Sequence, residues 1–141
     1  MDDYNYFKIG FTCSCFDLFH AGHVEMLEEV KKHCEHLIVG LQTDPSIDRP
    51  EKNKPVQSLI ERQIQLRGCK FVDEIIVYET EEDLKTILKT MPIDVRFVGQ
   101  EYTLESFTGK KLCKKKGIRI RYNKRMHDFS SSELRERIKN V

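Results

Sequence analysis

The stretch "YFKIGFTCSCFDLFHAGHVEMLEEVKKHCEHLIVGLQT", Tyr6 to Thr43, decides the fold. Its opening, Tyr6 to Ser14, is apolar and β-rich and reads as a strand. From His23 to Cys34, Val24, Leu27, Val30 and Lys31 recur at helical spacing with acids and lysines between them. His36 to Thr43 is a continuous apolar run, the pattern of a parallel strand covered on both faces. Strand, helix and buried strand form a β-α-β unit, whose crossover is right-handed.

The rest of the chain repeats the alternation. Asp44 to Ser58 is a polar, proline-bearing loop, longer than a connector needs, and loops of that kind often carry function. A helix is expected over Leu59–Cys69, a strand over Phe71–Glu79 and a helix over Glu82–Met91, stopped by Pro92. A strand over Asp94–Glu101, a short helix over Thr108–Gly117 and a strand over Ile118–Asn123 follow. The last helix spans Ser130–Asn140, with Ser130 and Glu133 at capping-box spacing. This order implies a Rossmann-like, doubly wound α/β fold: a mainly parallel five-stranded sheet in a single domain over residues 1–141. Ligands in such sheets bind beyond the carboxyl ends of the strands.

The 141 residues are 39% hydrophobic and 33% charged, ordinary for a soluble globular chain, with a formal net charge of +1. That balance gives no overall attraction to nucleic acid or anionic membrane, and neither is expected as a partner. The five cysteines are odd in number and scattered. The first residues lack a signal-peptide pattern and no apolar run reaches membrane-spanning length. A cytoplasmic protein with reduced thiols is expected. Cys13 and Cys15, two apart on a strand, are expected on one face of the sheet.

His20 and His23 flank Gly22 where the first strand turns into the first helix. A helix start offers unpaired N–H groups and partial positive charge, a ready phosphate site. Two imidazoles at i and i+3 share one side of the turn and can donate to phosphoryl oxygens as charge builds. A pair this close is weak evidence alone, since packing or capping explains it as well. A zinc site built from His20, His23, His33, Cys34, His36, Cys13 and Cys15 is disfavoured, because no pair has C-x2-C or H-x3-H spacing. A redox role is disfavoured because the motif is C-x-C. A second anion cradle is expected at the last helix. Ser130, Ser131 and Ser132 open that helix, and Arg125 precedes them by a few residues.

"FDLFHAGH", Phe16 to His23, resembles the HxGH signature of the nucleotidyltransferase superfamily, closest to its cytidylyltransferase branch and to the bacterial glycerol-3-phosphate cytidylyltransferases. The resemblance covers nearly the whole chain. "FVDEII" (Phe71 to Ile76) resembles the family's R-Y-V-D-E-V segment, with Lys70 in place of an arginine. "IDVRFVGQEY" (Ile93 to Tyr102) resembles the strand ending in G-D-D-W. "RMHDFSSS" (Arg125 to Ser132) resembles R-T-E-G-I-S-T-T, with Met126, His127 and Asp128 departing from it.

The resemblance implies transfer of a cytidylyl group from CTP to a phosphorylated alcohol, with glycerol 3-phosphate foremost, Mg²⁺ accompanying the CTP, and a homodimer. It implies that His20 and His23 stabilise the transition state, with Lys52, Lys54 and Arg125 neutralising phosphate charge. Ser14, Cys15 and Phe16 are expected beside the nucleotide, with Ser14-Cys15 standing where the family has G-T. Gly99 to Glu101 are expected near the base, and Ser130 to Ser132 at the phosphates. Lys52, Arg62 and Lys85 are candidates for the acceptor, and which of Lys52 and Lys54 takes which substrate stays open. Asp17 orients the motif or the metal. Two alternatives remain: an adenylyltransferase using ATP on a flavin or sugar phosphate, and a nucleotide-binding module without chemistry.

Overall fold

A computed structural model describes residues 6–103, 106–125 and 127–141. Strand β1 (Phe7–Ser14) leads to helix α1 (Ala21–Lys31), β2 (Cys34–Gln42) and, after the long loop, α2 (Leu59–Arg67). Then come β3 (Glu74–Tyr78), α3 (Glu81–Thr90), β4 (Val95–Gly99), a 3-10 turn (Gln100–Thr103), α4 (Lys110–Lys116), β5 (Arg119–Asn123) and α5 (Ser131–Lys139). The five strands form one sheet in the order β3-β2-β1-β4-β5, and every neighbouring pair is parallel. This is the doubly wound arrangement expected. The order reverses between β1 and β4, so the crevice for a ligand opens there.

The apolar run of β2 explains why both faces are covered. Leu37, Val39 and Leu41 point into one core with Leu27 and Val30 of α1 and Leu66 of α2. Ile38 points into the other, with Leu84 and Leu88 of α3 and Cys113 of α4. Local chemistry then sets the boundaries. Ser58 and Glu61 close a capping box at α2, and Thr80 and Asp83 close one at α3. At α5 the Ser130 hydroxyl accepts from the Glu133 amide, which forms that half of the expected box. Gly117, with φ 87°, supplies the left-handed residue that ends α4.

Among the boundaries that differ from the sequence expectation, three have identifiable reasons. Helix α1 begins at Ala21, before the first periodic apolar residue, because His20 caps it. Strand β2 begins at Cys34, which pairs with Phe7. Strand β3 begins at Glu74 because the Asp73 carboxylate takes the Leu37 amide at 2.8 Å, replacing a ladder bond, while also binding Lys31. Cys13 and Cys15 do not share a face. Cys13 packs with the α3/α4 core, but β1 ends at Ser14 and Cys15 lies against Arg62 of α2. Among the described residues no helix is long and apolar enough to cross a membrane.

Candidate active site

The turn from β1 into α1 is strained and tied down. Phe16 and Leu18 both sit at left-handed φ, 50° and 52°, a conformation costing about 1 kcal/mol or more per non-glycine residue. Asp17 between them is only 5% exposed. Its carboxylate accepts from the amides of Val56 (2.8 Å) and Gln57 (2.9 Å) and pairs with Arg135 of α5 at 2.7 Å. Gln57 Oε1 accepts from the Leu18 amide, and Ser131 donates its hydroxyl to the Asp17 carbonyl at 3.1 Å. One buried aspartate therefore joins the start of α1, the end of the long loop and the start of α5. Burial alone would raise the Asp17 carboxyl, but the Val56 and Gln57 amides and Arg135 outweigh it and hold it below the ordinary carboxylate value.

The two histidines form a reciprocal cap. His20 Nδ1 accepts from the Gly22 amide at 3.0 Å, and His23 Nδ1 accepts from the His20 amide at 3.1 Å. In a neutral imidazole this assigns the proton to Nε2 of each ring, leaving each Nε2–H as a donor. The rings stack with centroids 3.9 Å apart. Phe19 also stacks with His23, at 5.5 Å, and Phe16 meets it edge-on at 5.3 Å. Burial among these rings, with His20 adding and Asp17 opposing, pushes His23 down to about 3. His20 is lowered by burial, then by His127 and Arg125. Both are neutral donors near neutral pH.

A third imidazole joins them. His127 Nδ1 accepts from the Phe129 amide at 3.1 Å, again assigning the proton to Nε2. Its ring closes over Gly22, where an added Cβ would stand 2.7 Å from His127 Cε1 and 2.9 Å from His20 Cε1. Gly22 is thus the gap that lets two imidazoles meet. Arg125 donates to the carbonyls of His127 and Phe129 and holds this loop in place.

Beyond β1 and β4, at the reversal of strand order, lies a cavity of about 770 Å³. Ser14, Cys15, Gly99 and Glu101, expected beside the nucleotide, and Lys52, expected at the acceptor, line it together with Arg49, Arg96 and Glu81, which were not among the expected site residues. His20, His23 and Arg125 stand outside that lining, grouped at the starts of α1 and α5.

Comparison with known proteins agrees with this fold. The profile described as cytidylyltransferase-like matches residues 11–137. The chain belongs to the cytidylyltransferase-like family. Among curated relatives, the bifunctional protein HldE of Hyphomonas neptunium is 36% identical over 114 residues, 80% of this chain and 23% of the relative. HldE of Caulobacter sp. strain K31 is 40% identical over 103 residues, 72% of this chain and 21% of the relative. The chain spans under a quarter of the length of these relatives. The lipopolysaccharide core biosynthesis protein of Thermoplasma volcanium has the same fold, with a TM-score of 0.65 at 22% identity, covering 86% of this chain and 98% of that one. Pantothenate synthetase of Thermus thermophilus superposes with a TM-score of 0.63 at 12% identity, covering 94% of this chain and 64% of that one.

Several expected contacts of this cytidylyltransferase-like site are placed elsewhere. Phe16 is a core side chain and offers a ligand only its backbone. Lys85 is on the surface of α3, 3.7 Å from Glu82, and does not line the cavity. Lys54 is exposed near Asp44 and Ser132 is exposed on α5, both outside the lining.

Arg62, expected at the acceptor, is 2% exposed. Its guanidinium donates to the carbonyls of Gln57 (3.2 Å), Cys15 (3.0 Å), Gln42 (2.6 Å) and Thr43 (2.5 Å). It staples the carboxyl ends of β1 and β2 together. Arg62→Met is expected to lower stability by about 3 kcal/mol, because four carbonyls lose a charged donor. Urea unfolding measures this, and a variant that unfolds like the parent but binds acceptor poorly would restore the substrate role.

The His23 shift also sets a pH dependence. Its folded value lies below the ordinary 6.5, so the unfolded chain binds the extra proton more readily. The His23 contribution is complete above about pH 6.5 and falls with acidification toward about pH 3, by up to about 1.4 kcal/mol per unit. Urea midpoints that stay flat from pH 7 to 5 would contradict the burial of a neutral His23.

Proposed function

We propose that the chain transfers a cytidylyl group from CTP to a phosphorylated alcohol, releasing pyrophosphate. The observation that carries this reading is the joining of two helix starts through Asp17. Each start is an anion cradle, and the imidazole Nε2–H donors lie beside Arg125 at this junction. Such an arrangement suits a triphosphate better than a single phosphate.

In this reading the triphosphate lies across the starts of α1 and α5, and the acceptor occupies the cavity on the far side of the β1 end. An acceptor phosphate oxygen attacks the α-phosphorus in line, and the bond to the bridging oxygen breaks as pyrophosphate leaves. His20 and His23, with His127 beside them, donate hydrogen bonds to the oxygens that gain charge. Lys52 at the cavity mouth, and Lys54 on the same loop, screen the repulsion between two anions. No protein nucleophile takes part, so positioning and charge supply the rate.

Mg²⁺ is proposed to arrive with the triphosphate. The Asp17 carboxylate is buried and fully engaged with amides and Arg135, so it is not proposed as a ligand, and the ion would supply charge neutralisation to the triphosphate it accompanies. Asp17 is assigned to orienting the motif. Five free cysteines fit a reducing cytoplasm. A homodimer is proposed through α2, where exposed Ile60 and Ile64 adjoin a groove lined by Phe19, Val24 and Phe71.

The donor is assigned as CTP because "FDLFHAGH" carries the cytidylyl wording and the matching family is described by it. ATP is the second reading, favoured because a pantoate-β-alanine ligase of this fold, from Francisella tularensis, was solved with an ATP ligand. Pyrophosphate release should be measured for each nucleoside triphosphate against glycerol 3-phosphate and sugar phosphates. CTP is expected to lead. Release that ATP supports better gives the second reading, and no release with any pair would overturn both.

A further inference from the structure

The floor of the cavity holds a positive charge that no described residue balances. Arg96 of β4 is 4% exposed and lies across from Phe11 of β1 on the α3/α4 side of the sheet. Its Nη1 donates to the Thr108 carbonyl, and its Nη2 is 3.9 Å from Cys13 Sγ. The Phe107 ring lies 4.8 Å from the guanidinium carbon and fixes the plane of the group. Arg96 Nε is buried without a partner among the described residues, and none of their carboxylates comes within 4.0 Å of it. Glu81 shares Thr108 with it but is already engaged, accepting from Thr108 Oγ1 (2.7 Å) and Gln42 Nε2 (3.0 Å) and pairing with Arg49 at 3.6 Å. Arg49 also lines the cavity, and its buried Nε likewise has no partner among the described residues.

A buried guanidinium without a counter-charge costs several kcal/mol. A chain keeps one in a cavity wall when the ligand brings the anion. The anion at Arg96 differs from the reacting phosphate. Gly99, at the rim, lies three residues further along β4, about 10 Å at strand rise. Arg96 reaches sideways to Cys13 and Thr108, below the rim formed by Ser14, Cys15 and Gly99.

We propose that the acceptor is a phosphorylated polyhydroxy compound carrying a second anionic group, held at the cavity floor by Arg96 with Arg49. A volume of about 770 Å³ suits a ligand of that length. The proposal rests on the nucleotidyltransferase reading and narrows its acceptor.

Equilibrium titration of the full chain tests it with two matched pairs. Phosphogluconate is compared with glucitol phosphate, and hexitol bisphosphate with hexitol monophosphate. At least one doubly anionic member is expected to bind about tenfold more tightly than its partner, the gain of a charge-assisted fork. The pair that responds shows whether the distal group is carboxylate or phosphate. Arg96→Met is expected to erase the difference. Equal binding within both pairs by the unmutated chain overturns the proposal, whatever the variant does. So does a preference that survives Arg96→Met, or a variant that weakens both members equally. Pyrophosphate release with glycerol 3-phosphate but no preference within either pair sinks this proposal and leaves the transferase reading. A preference without any turnover does the reverse.

Discussion

His23→Asn is expected to lower turnover by about 10³-fold while leaving the fold in place. Asparagine Oδ1 stands close to where imidazole Nδ1 stands, so the bond from the His20 amide survives. What is lost is the Nε2–H donor. Removal of one such donor from developing phosphoryl charge costs about 10²–10³ in rate, and the stacked His20 ring loses its support as well. Pyrophosphate release under saturating CTP and acceptor measures the effect, with circular dichroism as the control. Near-normal turnover in a folded variant would remove His23 from the mechanism. Gly22→Ala is a companion test. Its Cβ would force the His127 and His20 rings apart without deleting any functional group. A loss of at least about tenfold is expected, because displacement of positioned groups by an ångström is enough to slow such chemistry.

Asp17→Asn is expected to lose about 3–5 kcal/mol of stability. The substitution leaves Arg135 without its counter-ion and replaces one of the carboxylate oxygens that receive the Val56 and Gln57 amides with a donor. The effect on chemistry is expected to exceed the effect on folding at temperatures where the variant is still native. The strained residues Phe16 and Leu18 relax when their anchor weakens, and the starts of α1 and α5 separate. Arg135→Met should share most of this loss, and the double variant should lose much less than the sum, because the two act as one pair. Additive losses in urea unfolding would show that Asp17 and Arg135 act separately. Since the Asp17 carboxyl is depressed in the folded chain, its contribution is present above the ordinary carboxylate value and disappears as pH falls through the folded one.

The alternation of elements was legible because periodicity is local. The unbroken apolar run of β2 announces cover on both faces, and Ser130 announces a helix start that the structure contains. The site was legible where chemistry coincides with a helix start, as at His20, His23 and Ser131. Arginines were misread for a physical reason. In sequence, Arg62 was placed at the acceptor because the resemblance puts an arginine there, and Arg96 inside a buried strand drew no notice. Their roles depend on what surrounds each guanidinium. Arg62 meets four carbonyls from three separate segments, whereas Arg96 meets one carbonyl, two thiols and a ring. His127 was read as a departure from a motif. Only folding brings it over Gly22, more than one hundred residues earlier in the chain.

The sequence by itself determined the doubly wound sheet, the family and the two helix starts that face each other across its edge. These follow from the spacing of neighbouring residues, which the chain carries without reference to its folded form. Tertiary structure decided which charges a ligand can reach. It closed Asp17 and Arg62 into the frame and left Arg96 in the cavity wall without a balancing carboxylate among the described residues. Burial and partnership are properties of segments far apart in sequence, and they exist only once the sheet has brought those segments together.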